Sequence, residues 1–175
     1  MIAAMAEESL ASADAKVLAA SPIRHLRDVL KSMRPRQWTK NGIVFMALVF
    51  SVNQEWMPDR PETWDHLLVR VVLTAVAFSA VSGAGYLVND VRDRDSDRLH
   101  PTKRRRPIAA GSIAPAEALA WAAVLVVSGT LIAFAIDWRT GAVVLGYIGL
   151  QVSYTTFLKQ QVILDVMAIA AGFVL

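Results

Sequence analysis

Four polar residues at the end of an apolar stretch have the side-chain types and spacing of a metal site: Asn89, Asp90, Asp93 and Asp97. On a continuous helix, Asn89, Asp93 and Asp97 form one stripe, which Asp90 joins at its edge. Clustered carboxylates repel each other, and a bound cation would relieve that repulsion. Carboxylate and amide oxygens suit Mg²⁺, which shares its other positions with substrate phosphates. The stripe predicts a site for Mg²⁺ and a diphosphate; the alternative is a solvated acidic helix end paired with arginines.

A basic segment follows this acidic stripe directly. Pro101 should end the helix, and Lys103, Arg104, Arg105 and Arg106 come next. Such a run can act as a topology signal and contact anionic lipids. Beside an acidic stripe it can also bind the diphosphate oxygens that a metal does not reach. We expect Lys103 and Arg104, and then Arg106, to bind phosphate.

Two further segments are expected at the same end of the molecule. Lys40 precedes the first apolar stretch, and Tyr154 and Lys159 lie at the end of the fourth. Each of these residues alone could be an anchor at the membrane interface. Basic residues from three connections around one acidic stripe instead indicate a pocket for a multiply phosphorylated substrate.

The composition excludes an ordinary soluble domain, because 55% of the residues are hydrophobic and only 19% are charged, against about 25% charged in a typical globular chain. The absence of cysteine excludes disulfides, zinc fingers and thiolate catalysis. The apolar runs predict an all-α fold, a polytopic transmembrane helical bundle with about four complete spans and a truncated fifth. The predicted spans are 42–52, 67–88, 116–136 and 141–158, with the fifth starting at Val162. Because that last span is cut short, we expect the protein to continue beyond Leu175.

The distribution of basic residues predicts the orientation of these spans. Seven lie between positions 92 and 106 and seven between 16 and 40, whereas 53–66 holds four acidic residues and a single Arg60. The positive-inside rule then places the N-terminus, the 90–112 loop and Lys159 in the cytoplasm. We therefore expect a multi-pass protein of the inner (plasma) membrane, with its site facing the cytoplasm.

The N-terminal region divides into two parts. Residues 1–21 lack the pattern of a signal peptide and are predicted to be a disordered tail. From Pro22 onward, apolar residues recur at helical spacing, and basic residues occupy other faces. The apolar positions include Ile23, Leu26 and Leu30, and the basic positions include Arg24, Arg27 and Lys31. This pattern predicts a basic amphipathic helix on the membrane surface; the alternative is a solvated charged helix.

The motifs together resemble the UbiA superfamily of intramembrane prenyltransferases. The segment Asn89-Asp90-x-x-Asp93-x-x-x-Asp97 resembles the first aspartate-rich motif of that family, and Tyr154 with Lys159 resembles its Tyr/Lys motif. Residues 33–41, 86–93 and 100–111 are similar to one branch, whose members transfer phosphoribose to polyprenyl phosphates. The resemblance covers about residues 24–175.

The resemblance implies a helical bundle around a central cavity, of which residues 22–175 would form the N-terminal part. It implies that the donor is 5-phosphoribosyl diphosphate and that the acceptor is a polyprenyl (decaprenyl) phosphate. It also implies Mg²⁺ as the cofactor and a role in the synthesis of cell-wall arabinan precursors. No nucleic acid partner is expected.

The resemblance also implies a role for each site residue. Asn89, Asp93 and Asp97 would bind the metal, and Asp90, Asp93 and Asp97 would be the catalytic residues. The implied substrate-binding residues are Lys40, Tyr86, Lys103, Arg104, Arg106, Tyr154 and Lys159.

Two other functions stay open at this point. An aromatic prenyltransferase of quinone or haem biosynthesis in the same superfamily would use the same aspartates to hold a prenyl diphosphate. A second aspartate-rich motif further along the chain would identify such an enzyme. A non-enzymatic transport or scaffold protein would instead need the basic loop for anionic lipids, and its aspartates could be replaced freely.

Overall fold

The computed structural model describes residues 22–60, 62 and 64–156, and only the backbone of Tyr154 and Thr156. The predicted tail and the truncated fifth span lie outside these residues. In the described part, the α-helices are α1 (Pro22–Ser32), α2 (Val44–Phe50), α3 (Asp65–Arg92), α4 (Arg94–Leu99), α5 (Pro107–Ala110), α6 (Pro115–Ile136) and α7 (Trp138–Thr156). The described part also contains two 3₁₀ helices, Pro35–Ile43 and Lys103–Arg105, and an isolated bridge between Val52 and Trp56. The predicted all-α class is confirmed.

Two of the predicted spans are long, continuous helices. α3 has 28 residues and α6 has 22, and both are long and apolar enough to cross a membrane. Only 22% of the most apolar part of α3 and 17% of that of α6 are buried within the molecule. Core helices of a soluble protein would be mostly buried, so these two helices have the character of membrane spans, as the sequence predicted.

The other two predicted spans differ from expectation. The first predicted span, 42–52, is divided, because the chain enters it as a 3₁₀ helix and only the seven residues of α2 are α-helical. The fourth begins at Trp138, before the predicted Gly141, because Asp137 caps α7: its Oδ1 accepts a hydrogen bond from the backbone N–H of Arg139 at 2.7 Å. Four complete spans therefore remain a prediction.

Close packing of α3 against α6 forms the middle of the bundle. Gly129 of α6 faces Ala77 and Val81 of α3, and a Cβ placed on Gly129 would lie 2.9 Å from the carbonyl oxygen of Ala77. Ala77 and Val81 share a buried cluster with Ala133 of α6 and Val144 of α7. Because α6 runs antiparallel to α3, the start of α6 returns to the end of α3 that carries the acidic stripe.

A second buried cluster lies at that end of the bundle. It joins Val29 and Met33 from the N-terminal segment to Leu87 of α3, Ile108 of α5 and Ala118 of α6. The small residues of α3 allow this approach: a Cβ on Gly83 would lie 3.1 Å from Cε of Met33. Gly83 therefore serves helix packing, as its position within a span predicts.

Candidate functional site

The acidic stripe keeps a helical course past the end of α3. The backbone N–H of Asp93 donates to the carbonyl of Asn89 at 2.9 Å, and that of Asp97 donates to the carbonyl of Asp93 at 2.8 Å. The break between α3 and α4 falls at Asp93 itself. The predicted spacing of Asn89, Asp93 and Asp97 over successive turns is therefore present in the structure.

Two of the aspartates are buried against arginines. Asp90 and Asp97 are each 3% exposed, and they face the same way because seven residues make about two turns. Nη1 of Arg106 lies 2.6 Å from Oδ2 of Asp97 and 3.2 Å from Oδ1 of Asp90. Nη2 of Arg34 lies 2.5 Å from the same Oδ1 of Asp90. These four side chains form a cluster of two carboxylates and two guanidinium groups, which we call the Asp–Arg cluster.

Arg34 is a site residue that the sequence reasoning did not select. It lies two residues after the end of α1, has a left-handed backbone (φ 54°) and precedes Pro35. Its guanidinium carbon also lies 4.7 Å from the ring centroid of Tyr86, which is a cation–π contact. The feature of the sequence that points to a residue such as Arg34 is Asp90, because a carboxylate at the end of an apolar helix needs a cationic partner.

His100 orders the start of the basic segment. Nδ1 of His100 accepts from the backbone N–H groups of Thr102 at 3.3 Å and Lys103 at 3.4 Å, so the imidazole caps the 3₁₀ helix Lys103–Arg105. Lys103 and Arg104 are exposed in this short helix, while Arg106 turns inward to the aspartates. Lys103 and Arg104 thus stand in solvent, three and two positions before Arg106 of the Asp–Arg cluster.

The C-terminal end of α7 reaches the opposite side of the stripe. The hydroxyl of Thr155 lies 3.4 Å from Oδ1 of Asn89, and Nη1 of Arg92 donates to the Thr155 carbonyl at 2.6 Å. The neighbouring Tyr154 is described only by its backbone, and Lys159 lies outside the described residues. The end of α7 is therefore next to the stripe, as the sequence predicted for the fourth span.

Lys40 is placed differently from the other predicted residues. It is exposed near the end of the 3₁₀ helix Pro35–Ile43, and the side-chain amide of its neighbour Asn41 donates to Oγ of Ser79 at 3.0 Å. Ser79 precedes Asn89 by ten residues of α3, or about 15 Å along the axis. Within the described part of the chain, Lys40 does not join the Asp–Arg cluster.

The outer edge of the stripe fits a divalent cation. Asn89 and Asp93, one turn apart and half-buried, offer an amide oxygen and a carboxylate, both hard ligands. The described residues contain no group of three histidine, aspartate or glutamate side chains that could hold a metal by themselves. A Mg²⁺ ion usually takes only one or two protein carboxylates and completes its shell with water and substrate phosphates. Asn89 and Asp93 meet that need, whereas Asp97 faces Arg106.

Comparison with known proteins gives the family. Residues 43–175 match the UbiA prenyltransferase family. The chain belongs to this family. Together with the apolar surfaces of α3 and α6, membership makes the chain part of a membrane protein, and it favours a transferase over the transport or scaffold alternative.

Individual relatives of this UbiA family chain carry more specific names. It is 34% identical over 164 residues to a decaprenyl-phosphate phosphoribosyltransferase of Mycolicibacterium smegmatis, covering 94% of this chain and 50% of the relative. It is 36% identical over 157 residues to the protein of that name from Corynebacterium glutamicum, covering 88% and 46%. A protoheme IX farnesyltransferase of Azotobacter vinelandii is 34% identical over 128 residues, covering 70% and 40%. The chain spans about half the length of the curated relatives that it matches.

Proposed function

We propose that the protein is a Mg²⁺-dependent membrane transferase that moves 5-phosphoribose from 5-phosphoribosyl diphosphate to a polyprenyl phosphate such as decaprenyl phosphate. Its product would serve as a cell-wall arabinan precursor. The observation that carries this proposal is the similarity to decaprenyl-phosphate phosphoribosyltransferases, which covers 88–94% of the chain. The acidic stripe beside exposed basic residues supports it, because it suits a substrate with several phosphates.

The proposed reaction is a displacement at the anomeric carbon of the donor. An oxygen of the acceptor phosphate forms a bond to that carbon, and the bond from the carbon to the diphosphate breaks. The acceptor phosphate is already ionised near neutral pH, so no strong general base is required. When bound, Mg²⁺ would neutralise the charge that develops on the diphosphate leaving group.

The chain's own residues would bind and orient the reactants. Asn89 and Asp93 would hold the metal, and Lys103 and Arg104 would contact phosphate oxygens from the adjacent 3₁₀ helix. Asp90 and Asp97 would act by fixing Arg106 at the edge of the site, from which its guanidinium group would contact the donor. The remaining residues of the proposed pocket are Tyr86, Tyr154 and Lys159, and Lys40 is left out because it lies beside Ser79. Orientation of two reactants in this way can supply a large part of a rate enhancement.

The proposal is tested with membranes that contain the full-length protein. Labelled phosphoribosyl diphosphate, decaprenyl phosphate and Mg²⁺ should give a labelled lipid, and a chelator should abolish its formation. Asp93→Asn should lower the rate about 100-fold, in the range that loss of groups supporting a metal usually costs. Asp95→Asn is the matched control, because the Asp95 side chain is 91% exposed on the same short segment; it should leave the rate unchanged. If no labelled lipid forms, or if Asp93→Asn matches the wild type, the proposal is wrong.

A haem or aromatic prenyltransferase is the second candidate, and the similarity to a protoheme IX farnesyltransferase supports it. The same stripe would then hold a prenyl diphosphate. The two candidates are separated by offering prenyl diphosphate with a haem or aromatic acceptor in the same membranes. Product from that pair, and none from phosphoribosyl diphosphate, would favour the second candidate.

A further inference from the structure

Helix α1 presents three different faces, and only one of them packs on the bundle. Val29 and Ser32 are each 2% exposed, and Val29 lies in the buried cluster with residues of α3, α5 and α6. Nε2 of His25, on the same face, contacts Oε1 of Glu117 at the start of α6. This face fixes both the position and the rotation of α1 against the bundle.

The second face of α1 is apolar and points outward. Ile23 is 80% exposed, Leu26 53% and Leu30 43%. Leu26 lies about one helical turn after Ile23 and Leu30 about two turns after it, so the three side chains form a single strip. Contiguous exposed apolar side chains of this size mark a surface that contacts lipid or another protein.

The third face is basic and borders the apolar strip. Arg24, Arg27 and Lys31 share it and are all exposed. Within the described part of the chain, none of them forms an ion pair. Three exposed cations next to an apolar strip are complementary to an anionic amphiphile, which offers negative charge and hydrocarbon side by side.

The contacts of α1 also place it at the rim of the membrane. Glu117, its partner, lies in the first turn of α6, which is one of the two long apolar helices. Nε1 of Trp121, one turn further on, lies 3.4 Å from Oε1 of the same Glu117, and tryptophan favours the membrane–water interface. The apolar strip therefore lies at the level where hydrocarbon begins.

We propose that α1 lies in the membrane–water interface and binds anionic phospholipid. Ile23, Leu26 and Leu30 insert between acyl chains, while Arg24, Arg27 and Lys31 contact headgroup phosphates. The charge beside the apolar strip favours this occupant over a second copy or another segment of the protein, for which an apolar strip alone would suffice. The inference concerns lipid binding and does not depend on the proposed transferase activity.

The depth of α1 tests the first part of this proposal. Because the chain contains no cysteine, single nitroxide labels can be placed on the full-length protein in vesicles of phosphatidylglycerol and phosphatidylcholine. Labels at Leu26→Cys and Leu30→Cys should be reached by oxygen and not by a water-soluble nickel chelate; a label at Arg27→Cys should be reached by the chelate. Asp95→Cys, on an exposed side chain, is the water-accessible control. If neither reagent reached the labels, the apolar strip would be covered by protein. If the chelate reached them, α1 would lie in water. Either result overturns the proposal.

The preference for anionic lipid tests the second part. A bimane label at Leu26→Cys is quenched by brominated phosphatidylglycerol or by brominated phosphatidylcholine, and the ratio measures lipid selectivity at α1. Phosphatidylglycerol should be preferred, and replacing Arg24, Arg27 and Lys31 by glutamine should reduce that preference by about fivefold for each charge removed. Arg139→Gln, at the opposite end of the bundle, is the control. Equal quenching by the two lipids, or an unchanged ratio in the triple variant, would disprove headgroup binding.

Discussion

Asp90 is a buried carboxylate whose charge is balanced from two separate segments of the chain. Arg34 reaches it from the N-terminal side and Arg106 from the loop after α4. Arg106 also neutralises Asp97, so one guanidinium group serves two buried carboxylates. Removing one partner from such an arrangement leaves a buried charge without compensation, which costs more than the pairing itself contributes.

Replacing Arg106 should therefore destabilise the protein more than replacing its neighbour Arg104. Arg106→Met leaves Asp90 and Asp97 short of a partner, and we expect a loss of about 3 kcal/mol in the free energy of unfolding. Arg104 is exposed, so Arg104→Met should change that free energy by less than about 0.5 kcal/mol. Unfolding of the two purified variants in mixed detergent micelles measures the difference.

The same variant can be rescued if unpaired charge is the cause. Adding Asp90→Asn and Asp97→Asn to Arg106→Met replaces both carboxylates by neutral amides and should recover most of the lost stability. Equal stability of the Arg106 and Arg104 variants would contradict the importance of the Asp–Arg cluster. A triple variant no more stable than Arg106→Met would assign the loss to packing instead of charge.

The sequence predicted the spacing of the acidic stripe but not its partners. Helical periodicity is local, so the turns that link Asn89, Asp93 and Asp97 follow from the chain itself. The ion pair of Asp90 with Arg34 joins residues 56 positions apart, and only the packing of α1 and α3 brings them together. For the same reason the expected approach of Lys40 to the stripe could not be judged from its position in the sequence.

At the level of elements, α3 and α6 were predicted closely because their apolar runs are long, and Pro115 suits the first position of α6. The start of α7 was predicted three residues late, because hydropathy does not show the cap from Asp137. The divided first span is harder to predict, since hydropathy does not distinguish a 3₁₀ helix from an α-helix. There Nε1 of Trp38 donates to the carbonyl of Met33 at 3.1 Å, a contact that fixes the turn from α1 into the 3₁₀ helix.

Gly129 should be essential for the close approach of α3 and α6. In Gly129→Ala, the new methyl group would meet the backbone oxygen of Ala77, which cannot move without shifting α3. We expect a loss of about 1–3 kcal/mol in the free energy of unfolding, the usual cost of overpacking. Thermal or detergent denaturation of the full-length protein provides the measurement.

Gly146→Ala is the matched control for this contact. Gly146 lies within α7, and apart from its chain neighbours and the adjacent backbone of α7, no atom of the described residues comes within 4 Å of a Cβ placed there. Alanine favours a helix over glycine by about 1 kcal/mol, so this variant should be at least as stable as the wild type. If both variants lost stability equally, the contact between Gly129 and Ala77 would not explain the effect.

On the scale of the whole molecule, the described chain has two chemically different ends. Arg34, Arg106 and the end of α7 meet around the acidic stripe at one end. At the other end lie the turn between α6 and α7 and Arg70, whose Nη2 donates to the carbonyl of Ile136 at 3.3 Å. The first end carries the dense basic segments that the positive-inside rule assigns to the cytoplasm.

This orientation predicts which positions an impermeant maleimide can reach in intact cells. Gln54→Cys lies exposed in the acidic connection between α2 and α3 and should react from outside. Asp95→Cys lies exposed beside the acidic stripe and should react only after the membrane is permeabilised. The cysteine-free parent is the blank for both variants.

Orientation also bears on the proposed substrate. Phosphoribosyl diphosphate carries several negative charges, and moving such an ion through hydrocarbon without a transporter is prohibitively costly. A donor made in the cytoplasm therefore requires the acidic stripe to face the cytoplasm. Labelling of Asp95→Cys from outside, with Gln54→Cys protected, would reverse the orientation and contradict the proposed transfer. The expected pattern, combined with loss of product in Asp93→Asn, would place the metal site on the side where the donor is made.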